Sequence, residues 1–365
     1  MSDGAEFAAW FRLLETPGLG RGGARRLLAA CGSPQAIFTT PAATLRQLVN
    51  ANVLRALADL PPEFEARLQA ARSWLAGAND RHVLTPGEAH FPAGLLQTAD
   101  PPLLLYAQGQ LATLGKPAVA VVGSRNPTPQ GLANARAFAA ALGQAGYAVV
   151  SGLALGIDAA AHEGALTAPA GTVAVVGTGL DRVYPARHRE LAHRIAAKGV
   201  LLSEFAPGTP PLPEHFPLRN RIIAGISLGT VVVEAALQSG SLITARLALE
   251  AGREVFAVPG SIHAPQSKGC HALLKQGAKL VETAQDIIEE LHGGAAQTAL
   301  PLSSQEASAP DPLLDALGHD PVTIDALISR TGWPAAELSA RLMTLELDGQ
   351  VARLPGGLYQ RLHAG

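Results

Sequence analysis

The sequence predicts an α/β protein with a doubly wound, mainly parallel β-sheet, a helical domain before it and a winged-helix-like domain after it. Seven brief apolar runs, rich in β-branched residues, alternate with Ala/Leu-rich stretches of helical period. Near-continuous hydrophobic strands with helices between them are typical of a parallel sheet covered on both faces. The runs are 118–123, 147–152, 172–177, 200–204, 230–234, 254–259 and 279–282.

Length and composition exclude several classes of protein. The chain has 365 residues, 48% of them hydrophobic, so more than one globular domain is expected. No apolar run approaches the roughly 18 to 20 residues that span a bilayer, and acidic residues near the N-terminus disfavour a signal peptide. We therefore expect a cytoplasmic protein without membrane contact. Cys31 and Cys270 form no disulfide framework or metal pattern.

Residues 1–85 are predicted to form the helical domain, because short helical stretches there are separated by proline and glycine. The segment from Pro17 to Gly20 opens one of these helices. It resembles a helix-hairpin-helix turn, whose backbone amides hold a DNA phosphate. A plain packing turn is the favoured interpretation.

The predicted sheet lies in residues 86–292, and residues 293–311 are expected to form a linker because they are rich in Gly, Ala, Ser and Pro and lack periodicity. Residues 312–365 show three helical segments and a hairpin, which is a winged-helix pattern. Arg330, Arg341 and Arg353 in this last domain are too scattered to decide between a weak duplex-DNA contact and a contact with another protein.

Charge gives only a local indication of the partner. The net charge of −2 supplies no global attraction for a polyanion. Residues 117–228 hold nine Arg and Lys against six Asp and Glu. This small excess is compatible with an anionic ligand near the sheet but does not establish one.

The first predicted strand ends in Gly123, Ser124 and Arg125, and a helix is expected to begin near residue 130. Backbone amides at such a turn attract anions, and Arg125 adds a bidentate phosphate donor. The turn is not GxGxxG, it has no Walker lysine, and no acidic residue closes the second strand to hold a ribose. Dinucleotide binding is therefore disfavoured, and no cofactor is expected.

Similar small-residue loops follow the next two strands. They contain Ser151, Gly152 and Gly156 in one loop and Thr178 and Gly179 in the other. Because the carboxyl ends of parallel strands meet at one edge of a sheet, these loops are expected to line a shared pocket. Such a pocket has room for several phosphates or for a passing nucleic-acid backbone.

Two further segments add binding groups. Phe216, Arg219, Asn220 and Arg221 come just before an apolar helix predicted at 222–228, and these residue types grip phosphates and stack on unpaired bases. A hydroxyl-rich loop after the fifth strand could bind another phosphate. Its candidate residues are Ser239, Gly240, Ser241 and Thr244.

Asp158 and His162 stand four residues apart and could share one face of a helix. This spacing allows a metal or acid/base interpretation. No third ligand follows at a diagnostic spacing, so structural hydrogen bonding is favoured and no metal is expected.

These residues resemble the bacterial DNA-processing protein A (DprA/Smf) family. The resemblance runs nearly end to end and is carried by VAVVGSR, VVSGLALGIDAAAH, VAVVGTGLDRVYP, LLSEFAPG, FPLRNRIIAG, VVVEAALQSGSLITA and VFAVPGS. It implies an N-terminal SAM-like helical domain, an extended Rossmann domain and a C-terminal winged-helix-like domain. It also implies a homodimer without catalytic residues that binds single-stranded DNA without sequence preference. Such a protein protects incoming DNA during natural transformation and loads the RecA recombinase onto it.

The resemblance also implies roles for individual residues. Arg125 would hold phosphate, and Phe216 would stack on or wedge a base. The small residues would supply backbone and hydroxyl donors. The complete predicted DNA site is Gly123, Ser124, Arg125, Ser151, Gly152, Gly156, Thr178, Gly179, Phe216, Arg219, Asn220, Arg221, Ser239, Gly240, Ser241 and Thr244.

Three positions depart from the family pattern. Pro213 stands where some members carry Lys, and His188 and His271 stand where Asn is usual. These departures leave the detailed chemistry of the pocket open. They do not affect the family resemblance.

Two other functions remain as alternatives. A nucleotide hydrolase of the lysine-decarboxylase-like (LOG) type would need a PGGxGTxxE loop, but the corresponding stretch reads EAALQSGSLITA, with Thr244 and Ala245 where the catalytic acid would stand. A nucleotide-sensing module would be compatible with the loops alone. The Arg-Asn-Arg segment and the winged-helix pattern favour polymeric DNA.

Overall fold

The computed structural model describes residues 4–292, 311–318 and 320–362. The first part of the chain is helical, as the sequence predicts. Phe7, Phe11, Leu13 and Leu27 are buried between these helices, and Asn50 caps one of them through its side-chain oxygen. The helices are α1 (Gly4–Glu15), α2 (Arg21–Cys31), α3 (Pro34–Thr39), α4 (Ala42–Leu45), α5 (Ala51–Ala58) and α6 (Phe64–Ala76).

A nine-stranded sheet follows in the order β1-β2-β6-β5-β4-β3-β7-β8-β9. The strands β3 to β9 are parallel to their neighbours, whereas β1 pairs antiparallel with β2, and β2 pairs antiparallel with β6. The strands are β1 (Arg81–Leu84), β2 (Leu105–Gly109), β3 (Ala118–Val122), β4 (Ala148–Ser151), β5 (Thr172–Val176), β6 (Val200–Ser203), β7 (Gly229–Val232), β8 (Glu254–Ala257) and β9 (Lys279–Leu280).

Helices cover both faces of this sheet, because side chains alternate across each strand and both sets are apolar. In β3, Ala120 and Val122 belong to one buried cluster and Val119 and Val121 to another. The covering helices are α7 (Pro129–Gln144), α8 (Ile157–Ala165), α9 (Arg189–Lys198), α10 (His215–Ile226), α11 (Gly240–Glu250), α12 (Lys268–Lys275) and α13 (Ala284–Leu291).

The helical domain packs against the sheet through Tyr106 of β2. The ring of Tyr106 lies 6.4 Å from Phe7 and 6.1 Å from Trp74, in edge-to-face arrangements. Such pairs stabilise a contact by about 0.5–1.5 kcal/mol beyond the area they bury. One buried cluster therefore continues from the helical domain onto the sheet.

Ion pairs extend this junction. The Asp100 carboxylate accepts hydrogen bonds from Arg21 Nε at 2.7 Å and Arg25 Nη2 at 2.6 Å. It also lies 3.2 Å from Arg221 Nε. These arginines lower the pKa of Asp100 even though its partial burial acts to raise it. The helical domain and α10 are thus tied to the same carboxylate.

The C-terminal unit has the order of helices and strands that a winged helix requires. Leu313, Leu327, Leu338 and Leu342 are fully buried at its centre. A three-stranded antiparallel sheet of order β10-β12-β11 completes it. Its elements are α14 (Pro312–Leu317), β10 (Val322–Thr323), α15 (Ile324–Thr331), α16 (Ala335–Leu347), β11 (Val351–Leu354) and β12 (Leu358–Arg361).

The predicted fold class is confirmed, and all seven predicted parallel strands are present. The antiparallel strands β1 and β2 were not predicted. Because β1 belongs to the sheet, the sheet begins before the predicted limit of the helical domain at residue 85. The domain limits stay predictions. The expected linker lies outside the described residues, apart from Asp311, which caps α14.

Candidate functional site

The strand order reverses at β3, and this reversal creates a crevice. The chain runs outward from β3 through β4 and β5 to β6, then returns to place β7 on the other side of β3. The helices after β3 and β7 pack on opposite faces, so the two loops diverge at the carboxyl edge. Ligands of doubly wound sheets bind at such a switch point.

A pocket of about 650 Å³ occupies this crevice. We call it the switch-point pocket. Ten of the predicted site residues line it, namely Gly123, Ser124, Arg125, Phe216, Arg219, Asn220, Ser239, Gly240, Ser241 and Thr244. Sequence reasoning did not select other lining residues, among them Tyr184, Gln238 and Ile243. Gln238 and Ile243 are direct neighbours of the predicted Ser239 and Thr244, which was a signal for them, whereas only the tertiary structure brings Tyr184 to Phe216.

The loop after β3 forms one wall of the pocket. A Cβ on Gly123 would lie 2.7 Å from Ile157 Cγ1 and 2.8 Å from the Glu234 carbonyl oxygen, so this turn requires glycine. Ser124 Oγ accepts the amide of Asn126 at 3.1 Å. Arg125 is exposed and makes no hydrogen bond or ion pair with any residue that the structure describes. Its guanidinium is therefore available to a ligand.

Glu234 supports this wall from outside the pocket. Its carboxylate accepts the Thr128 amide at 2.9 Å and the Thr128 hydroxyl at 2.6 Å, at the N-terminus of α7. The Thr128 hydroxyl in turn accepts the amide of Gly131, which caps the helix. Burial raises the pKa of Glu234. Both carboxylate oxygens of Glu234 are thus used to hold the loop after β3 at the start of α7.

The loop after β4 lines the pocket only through Ala154, and the three residues predicted there, Ser151, Gly152 and Gly156, lie behind the pocket. Ser151 is fully buried, and its hydroxyl donates to the Val121 carbonyl at 2.7 Å. Gly156 has a φ of 79°, which favours glycine. Its carbonyl oxygen accepts the amide of Ala160 in the first turn of α8. Gly152 packs so closely against Arg219 that a Cβ would overlap the guanidinium. Ser151, Gly152 and Gly156 therefore support the pocket from behind without lining it.

Asp158 and His162 are held by hydrogen bonds, as the favoured interpretation expects. Asp158 Oδ2 accepts the amides of Gly152 and Ala154 at 3.1 and 3.3 Å. His162 Nε2 accepts the amide of Leu153 at 3.3 Å, while Nδ1 lies 2.8 Å from the Thr172 hydroxyl. Burial raises the pKa of Asp158 and lowers the pKa of His162 to about 3. His162 is therefore neutral and structural.

The loop after β5 also stays outside the pocket lining. Thr178 is buried, and its carbonyl accepts the Ser203 hydroxyl at 2.6 Å. The Gly179 amide donates to the Thr209 carbonyl at 3.1 Å. The structure thus does not bring either residue to the pocket surface, although both lie at the same edge of the sheet.

The helix α10 begins at His215 rather than after Arg221, which corrects the prediction that these residues precede a helix. Proline is tolerated at position 217, because the backbone amides of the first helical turn have no acceptor within the helix. Phe216 is half-buried at the pocket wall. Its ring centroid lies 5.6 Å from that of Tyr184, which is 50% exposed. The pocket therefore has an aromatic side.

Arg219 lines the pocket but is only 5% exposed. Its Nη1 donates to the carbonyls of Gly152 and Val175, the latter at 2.5 Å, and its Nη2 lies 4.0 Å from Asp158 Oδ2. Burial lowers the pKa of Arg219 to about 10, so it remains charged at neutral pH. Arg219 holds the carboxyl ends of β4 and β5 in place.

Asn220 connects α10 to the neighbouring loop. Its Oδ1 accepts from Arg219 Nε at 3.0 Å, and its Nδ2 lies 3.5 Å from the Gly240 carbonyl. At the start of α11, Ser239 Oγ accepts the Ser241 amide at 3.3 Å and lies 2.6 Å from the Ser241 hydroxyl. These polar groups meet at the pocket opposite Arg125's loop.

Arg221 points away from the switch-point pocket. Its Nη2 donates to Glu204 Oε1 at 2.6 Å, and its side chain is only 11% exposed. Together with its approach to Asp100, this contact places Arg221 at the junction with the helical domain. The structure does not bring it together with the other predicted site residues.

The three departures from the family pattern have different positions. Pro213 lines the pocket. His188 Nδ1 lies 3.0 Å from the Leu153 carbonyl, just below the pocket rim. His271 Nε2 lies 2.9 Å from the Gly260 carbonyl, and His271 is not a lining residue. Only Pro213 therefore changes the pocket surface directly.

Neither a metal centre nor a membrane segment is found within residues 4–292, 311–318 and 320–362. No group of three or more His, Cys, Asp or Glu side chains there is arranged to hold a metal ion. Helices that combine the length and the apolar character needed to cross a bilayer are also absent from these residues.

The fold and the pocket define a doubly wound α/β protein whose ligand site lies at the topological switch point. A family model for DNA recombination-mediator protein A matches residues 82–292, and a model for the DprA winged helix domain matches residues 295–357. The chain therefore belongs to the DNA recombination-mediator protein A (DprA/Smf) family.

Individual relatives agree with this assignment. Protein Smf of Escherichia coli (strain K12) is 43% identical over 305 residues, which are 81% of each chain. The X-ray structure of DNA processing protein A from Streptococcus pneumoniae has a TM-score of 0.68 and 36% identity, over 78% of this chain and 97% of that one. A structure concerned with the single-stranded DNA binding mode of the Helicobacter pylori protein has a TM-score of 0.54 and 31% identity, over 59% and 97%.

Proposed function

We propose that the chain binds single-stranded DNA without sequence preference in the switch-point pocket. The observation that carries this proposal is that one open pocket is lined both by Arg125, which is exposed and has no partner among the described residues, and by the aromatic rings of Phe216 and Tyr184. A free guanidinium binds phosphate, and exposed aromatic faces stack on unpaired bases. Duplex DNA presents its phosphates but hides its base faces.

The wider function follows from family membership. We propose that the protein protects incoming DNA during natural transformation, loads the RecA recombinase onto it and acts as a homodimer. The relative from Helicobacter pylori, whose structure concerns a single-stranded DNA binding mode, supports the DNA binding on which these roles depend. We place Gly123, Ser124, Ser239, Gly240, Ser241 and Thr244 among the DNA contacts as well, since all six line the pocket.

We further propose that binding occurs without catalytic turnover. The carboxylates near the pocket are occupied, because Asp158 accepts two backbone amides and Glu234 holds Thr128. Thr244 is 2% exposed and stands where a LOG-type hydrolase would carry its acid. No unoccupied carboxylate or histidine is therefore available as a general acid or base among the described lining residues.

A titration of single-stranded against duplex DNA tests the proposal. Fluorescence anisotropy should show tighter binding to an oligothymidylate than to a duplex of equal length. The logarithm of the binding constant should fall with the logarithm of the salt concentration at a slope of about −0.7 per neutralised phosphate. Equal or tighter duplex binding, or a slope near zero, would contradict the proposal.

A nucleotide-sensing function is the second candidate, because a pocket of about 650 Å³ also has room for one nucleotide. Isothermal titration with thymidine monophosphate distinguishes the two functions. We expect the mononucleotide to bind far more weakly than the oligomer. Tighter binding of the mononucleotide would favour sensing over DNA binding.

A further inference from the structure

The surface between the pocket and the end of α9 carries an unusual concentration of positive charge. Residues 182–198 hold five of the nine Arg and Lys found in residues 117–228, but only one acid, Glu190. Arg182 is paired with Asp181 at 3.1 Å. The other four cations are exposed and form no ion pair or hydrogen bond within the described part of the chain. We call these four the α9 strip: Arg187, Arg189, Arg194 and Lys198.

Folding does not account for this charge. The inner face of α9 buries Leu191, Ala192 and Ile195 against the sheet, and its outer face needs only to be polar. Lys198 at the last turn interacts favourably with the helix dipole. Arg187 and Arg189 stand at the opposite end, where a cation opposes the dipole. The helix dipole therefore does not favour these two cations, and an anionic partner would offset their unfavourable position.

The α9 strip begins at the rim of the switch-point pocket. Tyr184, which lines the pocket, precedes Arg187 by three residues. His188 is anchored to the Leu153 carbonyl, next to Ala154, which also lines the pocket. From this rim the ten residues of α9 extend about 15 Å. A strand leaving the pocket beside Tyr184 would therefore pass Arg187 first and then the exposed cations of α9, with Glu190 as the one acid among them.

We propose that the α9 strip is a second contact for nucleic acid, which holds the phosphates of the same single strand after it leaves the pocket. This inference rests on the proposed function of the pocket. Widely spaced cations without aromatic partners attract a backbone but do not read bases. The strip therefore extends the length of bound DNA without adding sequence preference.

Oligomer length separates this contact from the pocket itself. The test variant combines Arg187→Gln, Arg189→Gln and Arg194→Gln, and leaves the buried side of α9 intact. Its affinity is measured for an oligothymidylate of about three nucleotides, which is too short to extend from the pocket along α9, and for one of about 20 nucleotides. We expect about tenfold weaker binding of the long oligomer and unchanged binding of the short one. The salt slope for the long oligomer should fall by about 2, for three lost phosphate contacts.

The control carries the same loss of charge elsewhere. Arg26→Gln, Arg46→Gln and Lys275→Gln remove three exposed cations that lie outside the pocket lining, and this variant should bind both oligomers as the unmodified protein does. Circular dichroism and the melting temperature verify that both variants are folded. An unchanged affinity of the test variant for the long oligomer overturns the inference. Equal losses for both lengths, or in both variants, also overturn it.

If the proposed function of the pocket is wrong, the measurements differ from those expected when only the second contact is wrong. If the unmodified protein binds neither oligomer, the proposed function itself is wrong. If the unmodified protein binds the short oligomer and the strip variant keeps full affinity for the long one, only the second contact is wrong.

Discussion

Two arginines on the same pocket differ in nearly every physical respect. Arg125, on the loop after β3, is exposed and free of partners among the described residues. Arg219, on α10, is buried against two backbone carbonyls and the Asp158 carboxylate. The same guanidinium group is therefore open to the proposed ligand in one place and used by the scaffold in the other. Exposure and prior hydrogen bonds, not residue type, decide which.

Removing the buried guanidinium should have the largest effect. Arg219→Ala would leave Asp158 without its cation and two carbonyls without a donor. Breaking a buried pair in this way typically costs about 3–5 kcal/mol. Urea unfolding should show this loss in the free energy of unfolding, with Arg125→Ala as the matched control that unfolds like the unmodified protein. A normal unfolding curve for Arg219→Ala would end the distinction between the two arginines.

The pH dependence of the free energy of unfolding tests whether His162, which is buried near Arg219, is neutral in the folded protein. Burial lowers the pKa of His162 from 6.5 to about 3. Between these two pH values the unfolded chain therefore binds one more proton than the folded protein. Stability should therefore fall as the pH drops from 6.5 toward 3, by up to about 1.4 kcal/mol per pH unit. Above pH 6.5 this contribution is fully present.

His162→Gln isolates that contribution. The raised pKa of Asp158 acts in the opposite direction in acid, but it is common to both proteins and cancels in the comparison. Urea unfolding between pH 7.5 and 4.5 should give a flatter profile for the variant. Parallel profiles would mean that His162 titrates normally in the folded protein.

Loss of the exposed guanidinium should affect binding alone. Arg125→Ala removes a charge-assisted phosphate contact worth about 1.5–3 kcal/mol, so affinity for an oligothymidylate should fall about 10- to 100-fold. Anisotropy measures this change, and urea unfolding should show an unchanged free energy of unfolding. Arg125→Lys keeps the charge but not the bidentate geometry and should lie between the two. Normal binding by Arg125→Ala would make Arg125 an ordinary surface residue.

Arg221 provides the smallest and most selective test. Arg221 is largely buried beside Glu204, but Arg21 remains near Glu204 and Asp100, so Arg221→Gln should lower the free energy of unfolding by about 1.5 kcal/mol. Its affinity for single-stranded DNA should stay within a factor of about two. A loss of affinity like that of Arg125→Ala would restore Arg221 to the DNA site that the sequence predicts.

The sequence revealed the parallel core because each of its strands is apolar on both faces, which leaves a continuous run of residues such as Ala118–Val122. The edge strand β1 has no such run, since only Val83 and Leu84 are buried, and it was missed. The start of α10 was placed too late, because only the apolar stretch at 222–228 was predicted as a helix. Ten of the sixteen residues predicted from the motifs line the switch-point pocket.

The direction in which each arginine points could not be predicted from the motifs. Arg221 is paired with Glu204 and approaches Asp100, which stands 121 positions earlier in the chain. Tyr184 reaches Phe216 only through the fold. Contacts of this kind depend on tertiary packing, which local sequence patterns do not report.

The contact between Tyr106 and the helical domain has a consequence for how the protein unfolds. Because Phe7 and Trp74 close over a strand of the main sheet, and Arg21 and Arg25 share Asp100 with α10, neither layer can open without exposing apolar surface of the other. Calorimetry should therefore show these two regions melting in one transition. The N-terminal helices are in this sense part of the sheet's cooperative unit, and deleting them would destabilise the very helix that carries Phe216.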